Sequence, residues 1–522
     1  MVSSKEGTGE MNEIKTAAIF SYVTIFCTFV VAIAFTPFMI RMLGQEEYGL
    51  YAIMMVIIGY FSILDLGFGN AIVRYISRNR ALGDKNSEAE LNGFFLKLYI
   101  LIGLIAIAIG VILYSQVDNI FGSSLSDHQI EKVKMMVIFM TISLAVQFPL
   151  CVFYSILQAY ERFIFIKIVS LIQVIIQPIT MLIFLFHGAD SVTLIGIVAV
   201  NNALFILIDA LICIKILKVQ FTFKNSNKSL LKEICLYAFF ISITVIVDKI
   251  YWQTDQLLLG ILKGTVDGAT YAIAMQIVMI FMSLALAISN LYLPKISILV
   301  TQEDGLMQIN HLFKKVGSIQ FLIIGYVLGG FILFGKDFIT LWVGKEFQQV
   351  YYIVLIIMIP FTVDLIQNLG LSVLKAKNLV RFRTILLLCI ALLNFVLSIP
   401  AIKYFGLLGT ASITAFSLLV GNVVIMNVYY HKKLKLDIKG FWRNISKLMV
   451  AFFFSTITMK LLLFIFNPNI TWVSLISYII LYGILIFLAL MVLVVNAQQR
   501  KTLIHVAKSK FTNLIPRKVE QE

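Results

Sequence analysis

Residues 93–115, GFFLKLYILIGLIAIAIGVILYS, are almost entirely apolar and contain one charged side chain, Lys97. At the helical rise of about 1.5 Å per residue, about 20 such residues cross the roughly 30 Å hydrocarbon core of a bilayer. Apolar and polar residues do not alternate, which argues against a strand of a membrane β-barrel. The stretch therefore predicts a transmembrane α-helix.

Runs of the same kind recur along the whole chain of 522 residues, of which 60% are hydrophobic and 13% are charged. A soluble domain is about half apolar and a quarter charged, so much of this surface must face lipid. We predict an all-α polytopic membrane protein with about fourteen transmembrane helices. Their approximate bounds are 14–40, 49–70, 93–115, 135–157, 164–186, 191–214, 233–262, 267–293, 316–335, 349–371, 384–402, 406–430, 448–466 and 472–495.

The distribution of Lys and Arg predicts the orientation. If the N-terminus is cytoplasmic, 32 of the 42 Lys and Arg residues lie in or beside cytoplasmic segments, and seven lie in loops on the other side. This bias follows the positive-inside rule and accounts for the net charge of +15. We therefore predict that both termini are cytoplasmic, that the basic loops face anionic membrane lipids, and that nucleic acid is not a partner.

Short matches indicate an internal repeat at an offset of about 220 residues. Tyr51-Ala52-Ile53 recurs at 271–273, and Leu157-Gln158-Ala159 resembles the segment at 374–376. An even number of predicted helices, six, separates the copies, so both copies have the same orientation, as in the parallel repeats of transporters. We predict two six-helix lobes, followed by two additional helices and a basic tail. These segments are 1–217, 218–430 and 431–522.

The corner between the first two predicted helices resembles that of bacterial polysaccharide flippases of the Wzx type. It reads RMLGQEEYGLY over 41–51, and LDLGFGN over 64–70 is similar to the end of the second helix in that family. The second half agrees in four short segments. They are DQLLLG at 255–260, YAIA at 271–274, FGK at 334–336 and LWVG at 341–344. The resemblance covers nearly the whole chain and implies membership of the multidrug/oligosaccharidyl-lipid/polysaccharide exporter superfamily.

The resemblance implies a function. Flippases of this family move undecaprenyl-diphosphate-linked oligosaccharide repeat units across the bacterial cytoplasmic membrane by alternating access, coupled to an ion gradient. The products are surface polymers such as capsule or O-antigen, and a polysaccharide polymerase and assembly proteins are implied as partners. We expect a transporter rather than an enzyme, with no catalytic residue, no cofactor and no bound metal other than coupling H⁺ or Na⁺.

Polar side chains interrupt the seventh predicted helix, and ionisable residues at membrane depth are costly and therefore candidates for function. They are Asp248, Lys249, Trp252, Gln253 and Asp255. Asp255 follows Asp248 by seven residues, roughly 10 Å further along and nearly on the same face. We predict a cavity stripe in which the carboxylates bind the coupling ion and aromatic rings contact sugar. Alternatively, Asp248 and Lys249 neutralise each other or a neighbouring helix.

Two arginines flank the second predicted helix. Arg41 and Arg74 are candidate contacts for the diphosphate, because a guanidinium binds phosphate bidentately; alternatively they are an interfacial and a topological charge. Asp65, a little over two turns before Arg74, pairs with a basic residue or contacts substrate. Asp209 and Asp364 are weaker candidates, because both lie toward cytoplasmic helix ends, where pairing at the interface costs little. Four amide side chains either line the path or bond between helices, namely Asn201, Asn202, Asn394 and Asn422.

Two other functions stay open at this stage. One is a drug or small-cation antiporter of the same superfamily, although such proteins are usually shorter and have twelve helices. The other is a membrane-embedded polysaccharide polymerase, which should present a sizeable extramembrane loop with acids, histidines or arginines. No predicted external loop is longer than 116–134, which favours the flippase over the polymerase.

Overall fold

The computed structural model describes residues 3–223, 228–466 and 470–494, and within these ranges the chain is helical and contains no strand. The helices are α1 Ser3–Phe61, α2 Phe68–Ala81, α3 Lys85–Phe121, α4 Asp127–Ala159, α5 Phe163–Phe186, α6 Ser191–Leu211, α7 Lys228–Lys263, α8 Thr265–Ser289, α9 Leu293–Leu299, α10 Gly305–Trp342, α11 Gln349–Ile366, α12 Leu369–Ala376, α13 Val380–Leu418, α14 Met426–Lys432, α15 Ile438–Phe466 and α16 Trp472–Leu493.

Twelve helical stretches within the described ranges are long and apolar enough to cross a bilayer. Two of them, Val23–Asp65 and Val380–Lys432, have 43 and 53 residues. The backbone leaves the helical region inside each, at Gly44 and at Gly406. Since one crossing needs about 20 residues, each of these stretches provides two. The predicted all-α polytopic fold with about fourteen crossings is confirmed.

The second predicted helix, 49–70, is not continuous. A 3₁₀ turn, Ser62–Asp65, follows α1, and the chain then passes through the left-handed region at Leu66 and Gly67 before α2 begins. A Cβ on Gly67 would lie 2.7 Å from the side chain of Ile241 on α7. Glycine is required here because it adopts a positive φ without strain and allows this close approach. Hydropathy does not reveal the break, because the segment stays apolar.

Residues Met1–Gln276 and Thr384–Thr414 form one compact unit, here called unit 1. Its best-packed part is the pair α3 and α4. A Cβ on Gly110 of α3 would lie 2.1 Å from the Thr141 hydroxyl of α4. Small residues of this kind let membrane helices approach closely. The core around them includes Phe95, Tyr99, Phe121, Met136, Met140 and Phe153.

Residues Ile277–Arg383 and Ala415–Glu522 form unit 2. Within it, α10 packs against α11 and α15, and α15 packs against α16. Gly329 of α10 allows Tyr482 of α16 to approach, since a Cβ there would lie 2.0 Å from the tyrosine hydroxyl. Tyr482 also stacks on Tyr326, with ring centroids 5.8 Å apart. The described part of the last two predicted helices therefore packs inside unit 2. The predicted lobe boundaries stay a prediction.

Candidate functional site

Asp255 lies in the second half of α7 and is almost fully buried, with 4% of its surface exposed. Three hydroxyls donate hydrogen bonds to its carboxylate, from Ser398 at 2.8 Å, Thr414 at 2.5 Å and Tyr271 at 3.2 Å. Tyr271 lies on α8, whereas Ser398 and Thr414 lie on α13, before and after its break at Gly406. One interrupted helix therefore presents two hydroxyls to the same carboxylate.

Asn394 extends this group of oxygens. Its Oδ1 lies 2.8 Å from the Ser398 hydroxyl, and its Nδ2 lies 3.5 Å from Thr414 Oγ1. All of these groups are buried, and none of the described residues that hydrogen-bond to Asp255 is cationic. We call Asp255, Tyr271, Asn394, Ser398 and Thr414 the Asp255 site.

The chemistry of the Asp255 site follows from its charge. An ionised carboxylate in an apolar interior is very costly unless a positive charge offsets it. The site holds carboxylate, hydroxyl and amide oxygens, which are the ligands that hard cations prefer. It can therefore accept either a proton on the carboxylate or a small cation among the oxygens.

Sequence reasoning identified Asp255 but missed three of its partners, Tyr271, Ser398 and Thr414. They are distant along the chain, at separations of 16, 143 and 159 residues. A signal is nevertheless present in the sequence. Asn394 and Ser398, and likewise Thr410 and Thr414, are polar pairs spaced by four in apolar helices, which places each pair on one helix face.

Asp248 and Lys249 have surroundings that differ from those of Asp255. Asp248 is exposed, Lys249 is half-buried, and the two interact electrostatically. Trp252 packs edge-on against Tyr251, with ring centroids 5.0 Å apart. The stripe predicted on α7 therefore holds one exposed carboxylate, Asp248, and one buried carboxylate, Asp255, whose oxygen partners come from α8 and α13.

Gln253 lies where α7 meets α1. A Cβ on Gly59 of α1 would lie 2.8 Å from Gln253 Oε1, and that buried oxygen has no hydrogen-bond partner in the described structure. The next residue on each helix also makes a contact, since the hydroxyls of Thr254 on α7 and Tyr60 on α1 are 2.6 Å apart. These contacts fix α7 on α1 next to Asp255. A pathway role for Gln253 stays a prediction.

Asp65 closes the 3₁₀ turn between α1 and α2 and is half-buried. Its carboxylate accepts a hydrogen bond from the Tyr99 hydroxyl of α3. The partner of Asp65 in the described structure is thus a phenol, and its pairing with a basic residue stays a prediction. A substrate contact stays a prediction.

The two predicted arginines are both exposed. The Arg74 guanidinium lies 4.6 Å from the ring centroid of Tyr237 on α7 and 5.8 Å from that of Tyr75. Tyr75 in turn donates a hydrogen bond to Glu233 at 3.0 Å. Cation–π contact orients Arg74 while leaving it exposed. Arg41 lies on α1, just before the break at Gly44. It makes no comparable cation–π contact in the described structure.

Asp364 belongs to unit 2, unlike the other charged candidates for the pathway. It lies on α11, is half-buried, accepts a hydrogen bond from Asn422 and interacts electrostatically with Arg383. Its charge is therefore partly offset within unit 2. The other predicted residues, Arg41, Asp65, Arg74, Asp248, Lys249, Trp252, Gln253 and Asp255, belong to unit 1.

The apolar helices and the buried polar site together define a multi-pass membrane protein of the transporter type. The sequence profile of the family described as "Polysaccharide biosynthesis protein" matches residues 15–300, more than half of the chain. The chain belongs to this family. The predicted resemblance to polysaccharide flippases of the multidrug/oligosaccharidyl-lipid/polysaccharide exporter superfamily is confirmed.

Two relatives align along most of the chain. "Uncharacterized membrane protein EpsK" of Bacillus subtilis (strain 168) is 22% identical over 453 residues, covering 85% of this chain and 88% of that protein. "Putative O-antigen transporter" of Shigella flexneri is 21% identical over 410 residues, covering 76% of this chain and 93% of that protein. Both alignments extend beyond the matched family region.

Solved structures share the fold. "Lipid II flippase MurJ, inward closed conformation" matches with a TM-score of 0.69 at 16% identity, covering 91% of this chain and 97% of that chain. The Vibrio cholerae MATE transporter VcmN in its bent form matches with a TM-score of 0.51 at 16% identity, covering 82% and 98%. At these identities the likeness concerns the fold alone.

Proposed function

We propose that this protein is a flippase that moves undecaprenyl-diphosphate-linked oligosaccharide repeat units across the bacterial cytoplasmic membrane. The units leave the cytoplasmic leaflet and serve the synthesis of a surface polysaccharide such as capsule or O-antigen. Both termini are cytoplasmic, anionic lipids contact the basic loops, and a polymerase and assembly proteins receive the product. Membership of the polysaccharide biosynthesis family and the relative described as an O-antigen transporter support this substrate class.

The observation that carries the transport mechanism is the Asp255 site. Transport of a charged lipid-linked sugar against its gradient needs a free-energy source, and a buried carboxylate can bind the coupling ion. Hydroxyls from α8 and from both sides of the break in α13 surround Asp255. Binding of H⁺ or Na⁺ there changes the net charge of a site built from three chain segments. Ion binding can therefore bias their relative positions, which is the requirement for coupled alternating access.

The diphosphate needs cations on its path, because burying phosphate without a partner is prohibitive. Arg74 is the better of the two predicted arginines for this role. Its guanidinium is exposed and oriented by Tyr237 and Tyr75, so less side-chain entropy is lost when it binds phosphate. Arg41 lacks a comparable aromatic contact in the described structure.

The proposal is tested by translocation in sealed liposomes. A fluorescent undecaprenyl-diphosphate oligosaccharide is incorporated with the purified protein, and its exposure to an added glycosidase is followed over time. We expect protein-dependent exposure of lipid-linked sugar, slowed strongly by Arg74→Ala. Arg162→Ala is the control, because it removes another exposed arginine from a predicted cytoplasmic segment.

The same liposomes address the two other functions. If no lipid-linked sugar is translocated and an ion gradient instead drives efflux of a cationic dye, the protein is a drug antiporter and the flippase proposal is wrong. If the oligosaccharide is elongated rather than moved, the protein is a polymerase, and the proposal is equally wrong.

A further inference from the structure

A cavity of about 260 Å³ lies inside unit 1 between α4, α5 and α6, and we call it the α4–α6 cavity. No residue of the Asp255 site lines it. Much of its lining is polar, and the polar side chains come from all three helices. They are Gln147 and Tyr154 on α4, Ser170 and Gln173 on α5, and Asn202 and Asp209 on α6.

Asp209 is the charged group of this cavity. Its side chain is buried, with 6% of the residue exposed, and its Oδ1 has no hydrogen-bond partner in the described structure. None of the described residues that line the cavity is Lys, Arg or His. Gln173 Nε2 donates to Asn202 Oδ1 at 2.9 Å, so these two amides bond to each other rather than to the carboxylate. The cavity thus contains a carboxylate whose charge no neighbouring side chain offsets.

In unit 2, an acidic side chain has partners that offset its charge. Asp364 accepts a hydrogen bond from Asn422 and interacts electrostatically with Arg383. Asn422 follows Asn202 by 220 residues, which is the offset of the internal repeat. The described residues that line the α4–α6 cavity therefore include an acidic side chain and no cation to offset it.

The backbone beside Asp209 is also unusual. α6 ends at Leu211 and continues directly into a π-helical turn, Ile212–Ile216. A second π-helical turn, Leu419–Ile425, contains Asn422 in the other half of the repeat. Such turns are rare and are frequently found at functional sites. The first of these turns begins three residues after the buried Asp209, which lines the α4–α6 cavity.

We propose that the α4–α6 cavity binds a monovalent cation at Asp209, either as a proton on the carboxylate or as a partly hydrated Na⁺. Both neutralise the same charge. The volume exceeds that of a bare ion and has room for several waters, at roughly 30 Å³ each. The amide oxygens of Gln147, Gln173 and Asn202 are suitable further ligands. The role of this cation as a second coupling ion rests on the proposed function, whereas its binding does not.

The titratable groups around Asp209 are few. Cys151 and Tyr154 line the cavity from α4, and α5 contributes none to the described lining. Cys213, in the π-helical turn, contacts the Phe153 carbonyl through its sulfur at 3.4 Å. Asp65 is near enough to act electrostatically on Cys151, as is Asp209. Among the described residues that line the cavity, Asp209 is thus the one carboxylate.

The test is Na⁺ binding to the purified full-length protein in nanodiscs without lipid-linked sugar, so that it is independent of transport. Binding of ²²Na⁺ is measured for the wild type, Asp209→Asn, Asp255→Asn and the double variant. With Na⁺ as the ligand, we expect Asp209→Asn to lose one bound ion, both in the wild type and in the Asp255→Asn background. With the proton as the ligand, infrared difference spectra should instead show a protonated carboxyl band that Asp209→Asn removes.

Two further variants keep the proposal testable even if Asp209→Asn does not fold. Asn202→Ala removes a cavity ligand and should weaken Na⁺ binding by roughly tenfold, or shift the carboxyl band if the proton is the ligand. Asn201→Ala is the matched control, because Asn201 bonds to Thr180 and does not line the cavity. If neither the bound Na⁺ nor a carboxyl band depends on Asp209 or Asn202, the proposal is overturned, while the flippase function can still hold.

Discussion

Asp255 is bonded by hydroxyls alone in the described structure, and this composition determines what the residue can do. Hydroxyls can donate to a carboxylate or turn their oxygens towards a cation. A lysine or arginine partner would lock the charge in place. The side chains around Asp255 are therefore compatible with both an occupied and an unoccupied site, whereas Asp364, beside Arg383, has less need of an external cation.

Thr414→Val tests the Asp255 site at the level of one hydroxyl. The change removes an oxygen that can turn towards a bound cation, so with Na⁺ as the ion we expect roughly 2 kcal/mol weaker binding, at nearly unchanged side-chain volume. Ion affinity can be measured from the ion dependence of thermal unfolding in nanodiscs. Ser417→Ala is the control, because this buried hydroxyl of the same helix has no hydrogen-bond partner in the described structure. Equal effects of the two variants would contradict the role of Thr414.

Gly67 and Gly83 provide a pair of variants that separates strain from overlap. Both have positive φ, at 74° and 71°, but a Cβ on Gly67 would collide with Ile241, whereas nothing lies within 4 Å of one on Gly83. We expect Gly83→Ala to cost about 1 kcal/mol and Gly67→Ala clearly more, because strain and overlap combine. Thermal unfolding of both variants measures the difference. A cost at Gly83 equal to or above that at Gly67 would rule out the close packing of the α1–α2 break against α7.

At the scale of elements, a charged cluster joins three helices of unit 1. Lys132 of α4 bridges Glu47 of α1 at 2.6 Å and Asp190, just before α6, at 3.1 Å. The Ser191 hydroxyl also bonds to Glu47. Burial alone would raise the pKa of Asp190, but the Thr193 N–H, Lys132 and the Thr193 hydroxyl outweigh it and hold that pKa below its ordinary value. The ionised cluster therefore stabilises the contact between these elements.

Lys132→Met should destabilise the protein by roughly 1–2 kcal/mol near neutral pH, because two carboxylates lose their shared partner. A lowered pKa in the folded state means that the Asp190 contribution is present above the unfolded pKa, near 3.8, and is lost as pH falls through the folded value. The difference in thermal stability from wild type should therefore shrink on acidification below about pH 4. Lys134→Met, which breaks a more exposed bridge to Asp118, is the control with a smaller expected effect. A difference that grows on acidification would contradict this assignment.

The elements also show what the sequence could and could not reveal. Long apolar runs predict membrane helices reliably, because crossing a bilayer imposes a length that hydropathy records. Hydropathy does not reveal the break at Gly67, because the break depends on a neighbour, Ile241, that is distant in sequence. Asp255 was found because an acid at membrane depth is conspicuous, while Ser398 and Thr414 were missed because small hydroxyls are common in apolar helices.

For the whole molecule, the distribution of Lys and Arg predicts an orientation that labelling can check. In a variant without the native cysteines, Ser123→Cys lies in a predicted external loop and Asn86→Cys in a predicted cytoplasmic one, and both positions are exposed. We expect a membrane-impermeant maleimide to label the first in intact cells and the second only after permeabilisation. The reverse pattern would show that the positive-inside assignment is wrong.

In the proposed mechanism, ion binding at Asp255 drives movement of a lipid-linked sugar across the membrane. The most direct measurement is translocation in liposomes with and without an imposed H⁺ or Na⁺ gradient, comparing wild type, Asp255→Asn and the Ser417→Ala control. We predict that one of the two gradients accelerates translocation in wild type and in the control, and that Asp255→Asn abolishes this acceleration. Translocation that responds to the gradient equally well in Asp255→Asn would contradict the account.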